Sequence, residues 1–256
     1  YKRQRPVDVL VATPGRAQDL INQGKLHLDA VCITTLDEAD QMADMGFLPQ
    51  VRKLLRLTPA TGQRLLFSAT LDGDVNKLVE QFLHDPIVHS TAPVQAAVDS
   101  MSHHLFFVGD RPARNEVALR IAARQGKTIM FMRTKHGVDR QVKKLRRAGI
   151  NAYPLHGDKG QGARTRAIEG FSDGSVPVLV ATDIAARGID VADVSLVVHI
   201  DPPAERKAYL HRAGRTARGG AAGTVVTLVM DEQREEISAL INKAGVTATE
   251  HDISGR

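Results

Sequence analysis

Adjacent carboxylates behind an apolar run are the first feature of this 256-residue chain able to do chemistry: Leu36-Asp37-Glu38-Ala39-Asp40 follows Ala30–Ile33. If that run is a parallel strand, the acids stand at its carboxyl end, where open α/β sheets bind ligands. Asp37 there can hold Mg²⁺, through waters because Mg²⁺ dehydrates reluctantly. Glu38 can orient or deprotonate the water that attacks a phosphate. Acids that merely suit a helix dipole would give the same string. Ser68-Ala69-Thr70 closes the next apolar run, placing hydroxyls where they can bridge Asp40 to a neighbouring element; a plain turn is the alternative. Thr13-Pro14-Gly15-Arg16 follows the first run. Gly15 permits close backbone approach and Arg16 offers a phosphate contact, although proline here also marks an ordinary helix start.

Two denser strings lie further on. Ala181-Thr182-Asp183-Ile184-Ala185-Ala186-Arg187-Gly188-Ile189-Asp190 leaves an apolar run with hydroxyl, acid and base crowded around a glycine. In His211-Arg212-Ala213-Gly214-Arg215-Thr216-Ala217-Arg218-Gly219-Gly220, three arginines fall within seven residues. Guanidinium groups this dense repel each other unless an anion or carboxylates share the site. A solvated basic loop is the alternative, weakened by glycines that let backbone crowd a ligand.

Positioning these groups calls for alternating strands and helices, hence parallel sheets covered by helices. Strand-like runs are Val7–Ala12, Ala30–Leu36, Arg64–Ser68, Leu105–Val108, Thr128–Met132, Val178–Thr182, Leu196–Ile200 and Thr224–Met230. Asp74 can cap a helix with Val75, Leu78, Val79 and Phe82 on one stripe. A second stripe, Val138, Val142 and Leu145, stops at Gly149, and its opposite face carries Arg140, Lys143, Lys144 and Arg147; Lys143, Lys144, Arg146 and Arg147 read as a solvated side rather than an RNA patch. Residues 90–103 are small and polar with no consistent face. The expected organisation is a first α/β unit over 1–92, a linker over 93–103, a second unit over 104–245 and a tail over 246–256.

Composition narrows the class. Hydrophobic residues make up 43% and charged residues 25%, the balance of an ordinary folded protein. The one cysteine, Cys32, excludes an internal disulfide framework and reads as a small core residue. No apolar run reaches the ~18 residues of a membrane span. Net charge is +5, which permits a polyanionic partner. His103, His104 and His156 lack carboxylate or cysteine companions at metal-ligand spacing.

Taken in order, the strings resemble the DEAD-box RNA helicases from Val7 to about Met230. Thr13–Arg16 resembles motif Ib, Asp37–Asp40 motif II and Ser68–Thr70 motif III. Phe131 lies in a strand similar to motif IV, and Gln161 and Arg164 fit a QxxR element. Thr182–Asp190 fits motif V and His211–Arg218 motif VI. The resemblance implies two RecA-like domains, the first incomplete, that close on ATP and single-stranded RNA. Asp37 and Glu38 would serve Mg²⁺ and the attacking water, with Asp37 as metal ligand. Arg215 and Arg218 would be arginine fingers, and His211 would link motif VI to the first domain. Asp40, Ser68, Thr70, Gly188 and Asp190 would lie on the nucleotide side, Ser68 and Thr70 coupling hydrolysis to closure and Asp190 touching the ribose. Thr13, Gly15, Arg16, Arg164 and Thr182 would face RNA sugar and phosphate, giving little sequence selectivity.

The implied activity is ATP-dependent local melting of short RNA duplexes by a cytoplasmic, monomeric enzyme without membrane contact. The unmodified Asp-Glu-Ala-Asp tetrad and Ser-Ala-Thr triplet disfavour a related DNA helicase. The family pattern also requires a Q motif, a GxxxxGK[ST] phosphate loop and a PTREL-like segment before motif Ib, and none occurs here. Gly126-Lys127-Thr128 is a decoy, because position 121 is isoleucine and the triplet precedes a strand. These 256 residues are therefore expected to be an N-terminally truncated, inactive piece of a helicase. The alternative is a non-catalytic RNA- or partner-binding module.

Overall fold

Parallel pairing accounts for every strand ladder in the computed structural model, which describes residues 7–71, 73–90, 101–186, 189, 191–217 and 221–254. The chain divides into two units, Tyr1–His89 and Ser90–Arg256. The first holds α1 (Pro14–Asn22), β1 (Ile33–Leu36), α2 (Ala39–Asp44), α3 (Leu48–Arg56), β2 (Gln63–Leu66) and α4 (Gly73–Phe82). β1 and β2 pair from Ile33↔Gln63 to Leu36↔Leu66. On both strands exposed and half-buried residues alternate, so one face of the sheet packs on helices. Leu48, Val51 and Leu55 of α3 join Leu78 and Phe82 of α4 over Leu36 and Leu66. Arg64 ties this core together. Its guanidinium donates to the carbonyls of Phe82 at 2.9 Å and Leu55 at 3.2 Å, a cation placed at the carboxyl ends of two helices.

Two expectations for this unit are corrected. Val7–Ala12 is not a strand. No ladder reaches it among the described residues, and Val9 and Val11 are 80% and 92% exposed, so the apolar run has nothing to pair with. Cys32 precedes β1 and is exposed rather than buried.

The second unit contains β3 (Met101–Gly109), α5 (Arg111–Ala122), β4 (Lys127–Phe131), α6 (Lys135–Arg147), β5 (Ala152–Leu155), α7 (Gln161–Ser172), β6 (Val178–Ala181), α8 (Asp183–Ala186), β7 (Val194–His199), α9 (Arg206–Ala213), β8 (Gly223–Met230), a 3₁₀ turn (Asp231–Gln233), α10 (Arg234–Ala244) and β9 (Ala248–Asp252). Its sheet runs β5-β6-β4-β7-β8-β3-β9. Helices cover both faces, and alternate strand residues go to each. Ile129, Phe131, Leu179 and Val197 pack toward α7, α9 and α10, whereas Met130, Val180 and Val198 pack toward α5 and α6. Strands buried on both sides explain why β4, β6 and β7 read as unbroken apolar runs.

The stripe Val138, Val142 and Leu145 is buried, and α6 ends before Gly149, whose φ of +81° suits glycine. Of the expected linker, 93–100 lies outside the described residues and 101–103 belongs to β3. The expected tail is also corrected, since β9 pairs along β3 from His103↔Ala248 to Phe107↔Asp252. His103 is buried in the sheet, its Nδ1 2.7 Å from the Tyr209 hydroxyl.

Candidate functional site

In the first unit the acids stand where the apolar run placed them, directly beyond β1. Glu38 adopts the left-handed backbone, with φ 53° and ψ 46°, a conformation rare for a non-glycine residue and common at ligand sites. Its N–H donates to Asp37 Oδ1 at 2.9 Å. The next residues turn into α2, so Asp37 and Glu38 remain exposed while Asp40 is only 2% exposed. Because β1 and β2 are neighbours in register, Ser68 lies beside this turn. The Asp40 N–H donates to Ser68 Oγ at 3.1 Å, and that hydroxyl donates to the Thr70 carbonyl at 2.6 Å. One hydroxyl thus locks the loops beyond two strands together.

An exposed Asp37 beside Glu38 fits Mg²⁺, which takes one or two carboxylates and completes its shell with water and phosphate oxygens. No cluster of three or more His, Cys, Asp or Glu forms a metal cage among the described residues. Thr13 stands at the N-cap position of α1 without a side-chain capping bond, Pro14 is the first helical residue, Gly15 is open on its Cβ side, and Arg16 forms an exposed ion pair with Asp19.

In the second unit three arginines converge on the segment beyond β6. Thr182 leaves the strand with its N–H donating to the Leu155 carbonyl at 3.1 Å. Asp183 receives Arg212 in a fork, from Nε at 2.5 Å and Nη2 at 2.8 Å. Arg212 is 3% exposed, also donates to the Asp201 carbonyl at 2.8 Å, and lies 5.1 Å from the Phe131 ring. Arg164 Nη1 donates to the Ala185 carbonyl at 2.8 Å. Arg215 Nη1 donates to the Ile189 carbonyl at 3.0 Å, and its Nε donates to the His211 carbonyl at 3.3 Å. The motif V-like segment is therefore strapped down by the QxxR arginine and by two motif VI-like arginines. Sequence reasoning missed Asp183 and Arg212 as its anchor, although the demand for a carboxylate among crowded guanidiniums pointed to such a pair. Gly188, Asp190 and Arg218 lie outside the described residues. Gly126-Lys127-Thr128 leads into β4, and Lys127 Nζ donates to the Ser172 carbonyl at 2.7 Å.

Parallel α/β units, one with an Asp-Glu pair beyond a strand and one with arginines on a strand-end segment, define a protein of two RecA-like units. Comparisons with known proteins agree. The DEAD/DEAH box helicase family profile matches residues 1–78, and the helicase conserved C-terminal domain profile matches 113–220. ATP-dependent RNA helicase RhlB of Pseudomonas syringae pv. tomato is 39% identical over 245 residues, covering 94% of this chain and 62% of its own length. ATP-dependent RNA helicase DBP2 of Eremothecium gossypii is 38% identical over 244 residues, covering 93% of this chain and 44% of its own length. Among solved structures, S. cerevisiae Dbp5 bound to RNA and ADP BeF3 aligns with a TM-score of 0.87 and 29% identity, over 98% of this chain and 68% of that one. The chain belongs to the DEAD-box helicase family. It spans only 62% and 44% of the length of the two helicases matched by sequence. Among the described residues no helix is long and apolar enough to cross a membrane.

Proposed function

We propose that this chain is the part of an ATP-dependent RNA helicase that carries the hydrolytic acids, the arginines and an RNA-facing surface. The observation that carries this reading is the Asp37–Glu38 turn, held left-handed beyond β1 and tied to β2 through Ser68. Asp37 would hold Mg²⁺, which when bound would neutralise phosphate charge. Glu38 orients and deprotonates the attacking water. Ser68 and Thr70 pass the state of this turn to the neighbouring strand end. Arg215 and Arg218 supply positive charge against that developing on the transferred phosphate, an effect worth roughly 10³–10⁵ in rate in related phosphoryl transfer. Asp190, with Gly188 beside it, contacts the nucleotide ribose. Thr13, Gly15, Arg16, Arg164 and Thr182 face RNA sugar and phosphate. The enzyme acts as a cytoplasmic monomer.

The 256 residues contain no GxxxxGK[ST] loop to cradle the β- and γ-phosphates, so by themselves they are expected to release no phosphate from ATP. That feature also favours a second reading, an RNA-binding module without catalysis. The deciding experiment uses the full-length protein. RNA-stimulated phosphate release and separation of a short RNA duplex should both be present and should both vanish in Glu38→Gln. Turnover that survives Glu38→Gln, or RNA binding with no ATPase at all, would overturn the helicase reading.

A further inference from the structure

Neighbouring strands β4 and β7 send their following helices to opposite faces of the second unit's sheet. α6 packs with Val198 and Met130, and α9 packs with Val197 and Phe131. The carboxyl ends of such a strand pair form the crevice in which open α/β sheets bind ligands. Here that crevice is a pocket of about 190 Å³ between α5 and α6. Its walls carry four cations, Arg111 and Arg114 from α5 and Arg140 and Lys144 from α6, against one acid, Asp201.

That acid is fully engaged. Asp201 Oδ1 accepts from Arg114 Nη1 at 2.7 Å, and Oδ2 accepts from the Arg133 N–H at 3.0 Å. Arg111, Arg140 and Lys144 make no ion pair among the described residues, so three uncompensated positive charges share one concavity. Two shielded donors join them. Arg114 Nε and Gln141 Nε2 are buried, on residues 7% and 2% exposed, and neither meets an acceptor in the protein. Buried donors ordinarily find partners, so these two, one on α5 and one on α6, leave the walls short of acceptors just behind the three cations. Burial and the adjacent guanidiniums of Arg140, Arg114 and Arg111 also push the Lys144 ammonium below its usual value.

We propose that this pocket binds a condensed phosphate group, a diphosphate or triphosphate, carried by a free small molecule or by the 5′ end of an RNA. A single-stranded backbone presents one charge per nucleotide along a track. A condensed phosphate gathers two or three charges within a few ångströms, as three clustered cations require. The pocket, of about 190 Å³, is far larger than the space a single water needs. The pocket belongs to the second unit and the Asp37–Glu38 turn to the first, and the proposal does not rest on the helicase reading.

Calorimetric titration of the 256-residue chain with inorganic tripolyphosphate at fixed ionic strength tests it. Short RNAs of one sequence with a 5′-triphosphate or a 5′-hydroxyl provide the second arm. One saturable tripolyphosphate site is expected, weakened about tenfold or more by the double variant Arg140→Gln/Lys144→Gln. Arg147→Gln removes one charge, half the change of the double variant, from the same helix outside the pocket and should weaken binding less than about twofold. A preference for the 5′-triphosphate RNA that disappears in the double variant identifies the RNA end as the source. Tripolyphosphate binding without that preference identifies a free small molecule. Absence of a tripolyphosphate site, or equal losses in Arg147→Gln and the double variant, overturns the proposal. So does a loss of 5′-hydroxyl RNA binding as large as that of tripolyphosphate, which would make the pocket part of a backbone track.

Discussion

Truncating Arg212 to alanine removes a guanidinium that makes a forked ion pair with Asp183, donates to the Asp201 carbonyl and lies against Phe131. Breaking a buried ion pair by deleting one partner costs about 3–5 kcal/mol, chiefly because the other charge is left uncompensated. Asp183 retains 36% side-chain exposure, so water recovers part of its solvation and the lower end, about 3 kcal/mol, applies. For a unit of this size each kcal/mol moves the midpoint by about 2–4 °C, so the second unit should melt roughly 6–12 °C lower. Arg212→Lys keeps a charge but loses the planar fork and the ring contact, and should fall between alanine and the native residue. Thermal melts of the 256-residue chain followed by far-UV circular dichroism read the effect. An alanine variant melting within about 2 °C of the parent would refute the assignment of Arg212 as the anchor of the segment beyond β6.

His199 supplies a pH test. Burial first, then the Arg212 guanidinium and the His103 imidazole, hold it well below the usual value of 6.5. The native state keeps it neutral while the unfolded chain takes up a proton below about pH 6.5, so stability falls as pH drops through that point, by up to about 1.4 kcal/mol per unit. His199→Gln should flatten the fall in urea midpoint between pH 7.5 and 5, whereas a profile parallel to the parent would exclude His199 as its source. In the full-length protein, Arg215→Ala should cut ATP turnover by about 10³ or more with ATP binding largely intact, and unchanged turnover would mean Arg215 is not a finger. If RNA is held through its phosphates, affinity should drop steeply between low and moderate salt and hardly vary with sequence. A flat salt response would remove Arg16, Arg164 and Thr182 from the RNA surface.

Where the sequence was legible, burial on two sides made it so. β4, β6, β7 and β8 carry apolar side chains on both faces and announce themselves as runs. The edges of the sheet do not. β5 contains Pro154, tolerated because only one of its sides is paired, and β9 is Ala-Thr-Glu-His-Asp, a polar strand held by backbone pairing to β3. Val7–Ala12 failed in the opposite sense, since an apolar run becomes a strand only beside another. The Asp37–Glu38 turn was placed correctly because an acidic string after a strand can go nowhere else. The role of Arg212 was hidden, because which of three arginines turns inward depends on Asp183 and Phe131, residues remote in sequence. The basic pocket was hidden for the same reason: Arg111 and Arg114 meet Arg140 and Lys144 only after α5 and α6 have docked on one face.

The position of β3 has a consequence for biosynthesis. Its hydrogen-bonding neighbours are β8 and β9, the two strands of this unit translated last, while the strands made soonest after it, β4 through β7, pair among themselves. On the ribosome β4, β5, β6 and β7 can assemble a half-sheet while β3 waits, its backbone groups unmatched on both sides. A nascent chain arrested before β8 emerges would therefore display an open ladder along His103–Phe107, inviting chaperone capture or intermolecular strand addition until synthesis resumes.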